Sequence, residues 1–460
     1  MSSLKDVIYF KCPDVVQNVL VSIYGYRIDK IRHGKQYCKM LENIEKRLYY
    51  TEAEIKNFQE QSLRCLIRSC AQNVPYYKEM FKKNGVMIND DFSINDLKKI
   101  SILEKTEIRK NTKLFINNNY KKSNLINIHT TGTTGTPLDI YCNTAVRQAN
   151  YAFYDRFLRN SGIDYKKSRA TFGGRIIMSI DKQNPPFWRY SHFQKNLLFS
   201  SYHLKDENIQ YYIEKLYRYR PHYIDSYPSS IFAIAKYAKQ HSIDLKGLTE
   251  GITTSAETLF DDQRMIIEEV FGVPVIDQYG AAEMCVFIGQ CAHGSYHVHT
   301  DYSIVEFLRE DGSQAMAGEE AEVVCTGLIN EVMPLIRYRI GDKVVVSDKK
   351  CTCECTFPIV EKVIGRIDDD ILTPEGNRVG RLSPVLKGFP VKKAQYLQKS
   401  IDTVTLLLVP DDGFSADIEN EIIIELRKRL GNKINIHVEQ VERIERGAGG
   451  KFKSVISTLI

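Results

Sequence analysis

The chain has 460 residues, 43% of them hydrophobic, with 63 Lys and Arg against 57 Asp and Glu for a formal net charge of +6. That hydrophobic share makes it globular, the length suggests two to four domains, and so small a basic excess gives no footprint for nucleic acid. No apolar run approaches the ~20 residues that cross a bilayer and the first residues lack a secretory pattern, so the cytoplasm is the expected compartment.

In chain order, residues 1 to about 95 read as a helical cap: Leu63, Leu66, Ile67, Cys70 and Ala71 recur at helix spacing ahead of NVPYYKEMF. Within it, Val15, Val16, Val19, Leu20 and Ile23 form an apolar stripe, followed by Arg27, Lys30, Arg32 and Lys35. Packing of the stripe on the protein's own core is expected. The same pattern also suits a membrane-surface helix, which would give a peripheral membrane contact.

At His129–Pro137 the chain reads HTTGTTGTP. Gly132 and Gly135 can take backbone angles closed to other residues, so the loop can turn N–H groups onto an anion while Thr130, Thr131, Thr133, Thr134 and Thr136 add hydroxyl donors. This is a cradle for the phosphates of a nucleoside triphosphate, although a Thr/Gly surface turn has the same composition. The Gly-Lys-Ser/Thr ending of a Walker P-loop is missing.

From about 124 to 345, strand-like GVPVIDQYG and AEVVCTGL alternate with helix-like NIQYYIEKLYRY and SSIFAIAKYAKQ, which implies α/β layering. SAETL from Ser255 and DQYGAAEM from Asp277 both follow β-like segments. After GRIDDD at 365–370 comes a smaller α+β pattern of VTLLLVP, ADIENEIIIELRKRL and KINIHVEQV. Near the end, Lys451 follows Gly447, Gly449 and Gly450, a flexible segment able to carry an ammonium into a distant site.

Eleven cysteines, most of them isolated as at Cys12, Cys38, Cys142 and Cys325, argue against a disulfide framework. A second constellation stands apart from these: Cys291 and His297 on one segment, Cys351 and Cys353 on another, four N/S donors of the kind tetrahedral zinc takes. Four protein ligands leave no open position, so such a zinc would be structural. Cys355, His293 and His299 are rival ligands, and reduced surface thiols are the plainer alternative.

The order TTGTTGTP, SAE, QYGAAE, YRIGD, GRIDDD and GGKFKSV resembles the adenylate-forming ligase superfamily over nearly the whole chain. Within it the chain resembles the phenylacetate-CoA ligase branch, and its long helical start resembles the CapK-type proteins of capsule and surface polysaccharide synthesis. The resemblance implies an α/β fold: a large multi-layer N-terminal domain over 1–364, with a helical cap over 1–95 and a zinc-bearing β subregion over 285–360. A small, mobile α+β lid would follow over 365–460. It implies ATP and magnesium, formation of an acyl adenylate from a small carboxylic acid with release of pyrophosphate, and acyl transfer to a thiol or an amine. The acceptor would be coenzyme A or an amino-sugar nucleotide.

Residue by residue, the resemblance implies that Thr130, Thr131, Gly132, Thr133, Thr134, Gly135 and Thr136 hold the β- and γ-phosphates. Tyr279 would face adenine with Gly280 leaving room, Ser255, Ala256 and Glu257 would line its other side, and Asp277, Gln278 and Ala281 belong to the same nucleotide segment. Glu283 would hold magnesium, and Asp342 would accept the ribose hydroxyls, although Gly-Asp also suits a hairpin turn. Arg366 would sit near the ribose or α-phosphate, Asp368 at the hinge, and Lys451 at the α-phosphate and attacking carboxylate, where it stabilises the charge that builds up as pyrophosphate leaves. The acid pocket is expected between residues 170–205 and the surroundings of Tyr279, with His203 or Arg175 meeting a polar acid. Two departures stand out: Arg446-Gly447-Ala448-Gly449 ahead of the final Gly-Lys, and Glu354-Cys355 where Gly and Arg are more usual in the metal-bearing members. An inactive nucleotide-binding or scaffold protein is the alternative, and intact Glu283, Asp342, Arg366 and Lys451 argue against it.

Overall fold

The computed structural model describes residues 4–129, 138–365, 371–379, 382–386, 388–444 and 455–459. They fall into two compact units, a larger one of Tyr9–Ile128 with Asp139–Gly365 and a smaller one containing Arg366–Ile460. The chain opens with helices α1 (Leu4–Lys11), α2 (Asp14–Arg32), α3 (Tyr37–Lys46), α4 (Glu52–Asn73) and α5 (Pro75–Lys83). A capping box starts α4: Thr51 Oγ1 accepts from the Glu54 N–H while the Glu54 carboxylate accepts from the Thr51 N–H. Its buried residues are Leu63, Leu66, Ile67 and Cys70, the face that the helical spacing marks.

Helices α6 (Lys105–Lys110), α7 (Thr144–Asn160), α8 (Asp206–Tyr219), α9 (Pro228–Gln240) and α10 (Asp261–Phe271) belong to the larger unit's α/β body. Strands β1 (Ile126–His129) and β2 (Asp139–Cys142) make a two-stranded ribbon. One 12-stranded sheet takes β3 (Arg169–Gly173), β4 (Trp188–Ser191), β5 (Asn196–Ser200), β6 (Tyr223–Ser226), β7 (Gly251–Ser255), β8 (Val275–Gly280), β9 (Phe287–Gln290), β10 (Tyr296–Val298), β11 (Ser303–Leu308), β12 (Glu320–Gly327), β13 (Tyr338–Val346) and β14 (Ile359–Gly365). Their spatial order is β11-β12-β13-β14-β10-β9-β8-β7-β6-β3-β5-β4.

Strands β5, β3, β6, β7 and β8 run parallel, with α8, α9 and α10 as crossovers, because parallel neighbours need a helix-length return. Every neighbour pair from β8 to β11 is antiparallel. The parallel part is covered by apolar side chains: Phe172 and Phe199 stack at 4.5 Å between ring centroids, with Tyr212 of α8 against them. Burial on both faces marks β7 and the start of β8, whereas β3 alternates, with Ala170 and Phe172 buried.

Helix α2 departs from expectation. Its stripe is not core: Val15 is 74% exposed, Val19 52% and Ile23 45%, while the residues it buries are Gln17, Ser22 and Gly25. The cause is β4, an edge strand whose backbone groups need partners. Asn18 Oδ1 accepts from the Tyr190 N–H at 2.9 Å, and Ser22 Oγ accepts from the His192 N–H at 3.0 Å. Gln17 Oε1 accepts from Nε of the buried Arg189 at 2.8 Å. Gly25 leaves room for Ser191, whose Oγ would lie 2.4 Å from an added Cβ. The polar face is inside because it satisfies a strand edge. No helix among the described residues is long and apolar enough to cross a membrane.

In the smaller unit β15 (Ile371–Leu372) pairs with β16 (Arg378–Val379). Strands β17 (Val391–Ser400), β18 (Thr403–Pro410), β19 (Asn435–Gln440) and β20 (Val455–Ser457) form a sheet ordered β19-β18-β17-β20. Alternate residues Val404, Leu406 and Leu408 of β18 meet Ile422, Leu426 and Leu430 of α11 (Ala416–Leu430) in a separate core.

Candidate active site

The parallel half of the sheet gives way to the antiparallel half at β8, and the described motifs SAE, QYGAAE and YRIGD meet around the ends of β7 and β8. Ligand sites in open α/β sheets sit outside such carboxyl ends. Ser255 at the end of β7, with Gln278, Gly280 and Ala281 at and after the end of β8, lines a cavity of about 1030 Å³. Ala256 beside it has φ +73°, and two other non-glycine residues with positive φ flank motifs: Met284 at +55°, next to Glu283, and Arg337 at +47°, ahead of YRIGD. Such conformations persist only where the surroundings over-determine them.

Tyr279 and Asp342 meet: the tyrosine hydroxyl donates to Asp342 Oδ2 at 2.7 Å. Asp342 reaches this place through a bulge in β13, where the register against β12 slips between Glu322 and Val324 and Gly341 takes φ +90°. Burial, and then the Asp342 charge, push the Tyr279 hydroxyl well above its ordinary pKa, so it stays a donor.

Glu283 is buried, and Lys105 Nζ at 3.3 Å and the Tyr338 hydroxyl at 3.1 Å both bond its Oε1. A divalent ion here would share the carboxylate with an ammonium. Glu257 Oε2 accepts from the Ser229 N–H at 3.1 Å in the first turn of α9, where a carboxylate complements the helix dipole. Asp277 turns into the sheet instead of toward the cavity. Its two oxygens accept from Thr254 at 2.6 Å and Tyr296 at 2.8 Å, and burial raises its carboxyl pKa against those bonds.

Arg175 lies on the cavity wall. His203 does not: it is buried, bonded to Ser200 Oγ at 2.8 Å and stacked on Phe187. Thr130, Thr131, Gly132, Thr133, Thr134, Gly135, Thr136, Arg366, Asp368 and Lys451 lie outside the described residues.

The structure gathers Cys291, His297, Cys351 and Cys353, whose ligand atoms all lie within 4.8 Å of one another. The β9–β10 hairpin supplies the first two, and the loop entering β14 the others. Cys291 Sγ and Cys351 Sγ are 3.6 Å apart, and Cys353 Sγ is 3.2 Å from His297 Nε2. The edges of a zinc tetrahedron with ~2.3 Å Zn–S bonds are ~3.8 Å, so the donor set has the right size. His297 Nδ1 donates to the Phe357 carbonyl at 3.0 Å, which fixes the tautomer and leaves the Nε2 lone pair facing the sulfurs. Of the rivals, His293 bonds Thr352 Oγ1 at 2.7 Å. His299 Nδ1 accepts from the buried Arg156 at 2.7 Å, and burial and that cation keep the imidazole neutral. Cys355 packs with Leu48, Ile55 and Phe357 and is not one of the four, while its side chain also reaches His297.

Two features have no signal in the motifs. Lys105, the partner of Glu283, is 178 residues away from it in sequence. Asp301 accepts from Arg156 at 2.8 and 2.9 Å and from Arg47 at 2.9 Å, while Arg156 also bonds the Ile44 carbonyl, so one buried ion cluster ties α3 and its following turn to α7 and the sheet.

The large sheet and small α+β unit define a class. The structure of 2-hydroxyisobutyryl-CoA ligase in complex with 2-HIB-AMP and CoA, in its thioesterification state, matches with a TM-score of 0.64 at 17% identity, covering 89% of this chain and 91% of that one. This is the fold of the adenylate-forming ligases. Residues 371–458 match the family model of the CapK C-terminal domain. The chain is 29% identical over 458 residues to protein CapK of Staphylococcus aureus, covering 98% of this chain and 99% of that one. It is 23% identical over 453 residues to the phenylacetate-coenzyme A ligase of Thermus thermophilus, covering 88% and 96%. The chain is thus similar over nearly its whole length to CapK and, at lower identity, to the phenylacetate-CoA ligases, and it has the fold of the adenylate-forming ligases.

Proposed function

We propose that this protein activates a small carboxylic acid with ATP, releasing pyrophosphate, and passes the acyl group from the resulting acyl-AMP to the thiol of coenzyme A or to an amine. The observation that carries this reading is the meeting of Ser255, Gln278, Gly280 and Ala281 on one cavity, with Tyr279 at the end of β8 bonded to Asp342 of β13. In this reading Tyr279 stacks on adenine, Asp342 takes the ribose hydroxyls, and the Tyr279 hydroxyl holds the carboxylate in place. Magnesium would take the Glu283 carboxylate and bridge ATP phosphates. Thr130 to Thr136, Arg366, Asp368 and Lys451 keep the phosphate, ribose, hinge and carboxylate roles that the family resemblance implies. Zinc held by Cys291, His297, Cys351 and Cys353 would be structural, joining the β9–β10 hairpin to the loop before β14. Kinship with CapK favours a place in surface polysaccharide synthesis, with an amino-sugar nucleotide as one candidate acceptor.

The test is acid-dependent ATP–pyrophosphate exchange with pooled acids, which reads the first half-reaction without knowledge of the acceptor. Exchange with one pool, lost in Lys451→Ala while ATP still binds, is the expected result. ATP binding without exchange in any pool would leave the scaffold reading standing.

A further inference from the structure

The motif residues account for only part of the cavity wall. Another part comes from α2, α3, α7, β3 and the segment after β3, and it includes Arg32, Arg169 and Arg175. The Arg32 guanidinium lies 3.9 Å from the centroid of the Tyr151 ring. Arg147 lies 5.0 Å from the same ring and donates to its hydroxyl at 3.1 Å. Arg175 is 5.4 Å from the Tyr24 ring, and Arg169 donates to the Tyr223 hydroxyl at 3.2 Å. Every one of these contacts is to a tyrosine, and among the described residues none of the four guanidiniums has a carboxylate within ion-pair distance. The Nε atoms of Arg32 and Arg169 are buried with no hydrogen-bond partner.

Gathering like charges this way is unfavourable: burial and the fields of Arg169, Arg147 and Arg175 lower the Arg32 pKa. The nearby groups offset it only in part: against burial, Tyr223 and the Asp225 charge raise the Arg169 pKa. Asp155 is taken by the Tyr37 hydroxyl at 2.6 Å and by His33 at 3.0 Å. Asp225, also on the wall, is a single buried carboxyl whose own pKa burial raises. Guanidinium forks with unfilled N–H groups match the paired oxygens of a carboxylate or phosphate.

We infer that the acid taken into this cavity carries a second anionic group, a carboxylate or a phosphate, seated among Arg32, Arg169 and Arg175. This rests on the adenylation reading for the reacting carboxylate, whereas the anion seat itself does not depend on turnover.

Two measurements on the full chain separate the claims. The first is calorimetric titration, without ATP, of glutarate and of 3-phosphonopropionate, each against monomethyl glutarate. The second is pyrophosphate exchange with the same three acids. Binding of at least one dianion about tenfold or more tighter than the monoester is expected, as for hydrogen bonds to a charged group, and the better of the two names the anionic group. Arg32→Gln and, at a more exposed position, Arg175→Gln should each collapse that ratio, with unchanged circular dichroism. A merely structural arginine would weaken all three ligands alike. Equal binding of dianions and monoester, no binding of any probe, or a ratio unmoved in both variants overturns the inference. Exchange with monomethyl glutarate alone also overturns it and leaves adenylation standing. Dianion binding without exchange supports the seat and counts against adenylation.

Discussion

Ala256 sits at φ +73° in the first motif after the sheet's parallel half. An L side chain there costs ~1–2 kcal/mol, so replacement by glycine should relieve about as much as glycine's extra chain entropy removes. Ala256→Gly is therefore expected to leave the urea midpoint nearly unchanged. A β-branched residue cannot adopt this conformation without larger strain, and Ala256→Val should destabilise by about 2 kcal/mol or more. A valine variant as stable as the parent would show that the backbone is not held there. At this scale the sequence is legible where chemistry is local. Tyr279, Asp342 and the Cys/His set stand out because their residue types are informative where they stand. Lys105 does not, because an isolated lysine announces no partner 178 residues away, and neither do the arginines on the cavity wall, contributed singly by separate elements. Asp277 misleads for the opposite reason: inside a motif it looks like a ligand, yet its hydrogen bonds hold strands together.

At the scale of elements, α2 shows what periodicity can and cannot state. A 3.6-residue stripe says that a helix has two faces, and the side turned inward is decided by what it must cover. Here that is the edge strand β4. The prediction is an inversion of the usual rule. Val19→Asp should change stability by no more than ~0.5 kcal/mol, as at an ordinary exposed position. Gln17→Leu should cost ~1–3 kcal/mol by leaving the buried Arg189 Nε without its acceptor. Thermal melts of the two variants decide it, and the reverse order would refute the inward polar face. The same helix ends at His33, whose Nδ1 and Nε2 meet Asp29 at 2.7 Å and Asp155 at 3.0 Å. Burial lowers its pKa, but the hydrogen bonds and charges of the two carboxylates outweigh burial and raise it. A raised folded pKa means stabilisation fully present below the unfolded value of ~6.5 and lost as pH rises through the folded one. The difference in melting temperature between the parent and His33→Gln should thus be larger at pH 6 than well above neutrality, and a constant difference would show that the imidazole is not charged.

For the whole molecule, the α/β layering and the small α+β unit are legible because strand-like and helix-like patterns alternate along the chain. The order of twelve strands is not, since pairing is set by which faces cover one another. Each unit has its own buried core, with α11 against β18 in the smaller and Phe172, Phe199 and Tyr212 in the larger. Separate cores imply separate cooperative transitions, so calorimetric unfolding should resolve two. The four clustered metal-ligand residues lie wholly in the larger unit, and an ion bound there adds its binding free energy to that unit's stability alone. Zinc-loaded protein treated with a chelator should therefore lower the temperature of the transition with the larger enthalpy and leave the other in place, because enthalpy scales with the number of residues unfolding. Movement of both transitions together would mean that the units unfold as one. Purified protein that contains no zinc, and whose transitions a chelator leaves unmoved, would remove the metal from the account and leave Cys291, Cys351 and Cys353 as thiols beside His297.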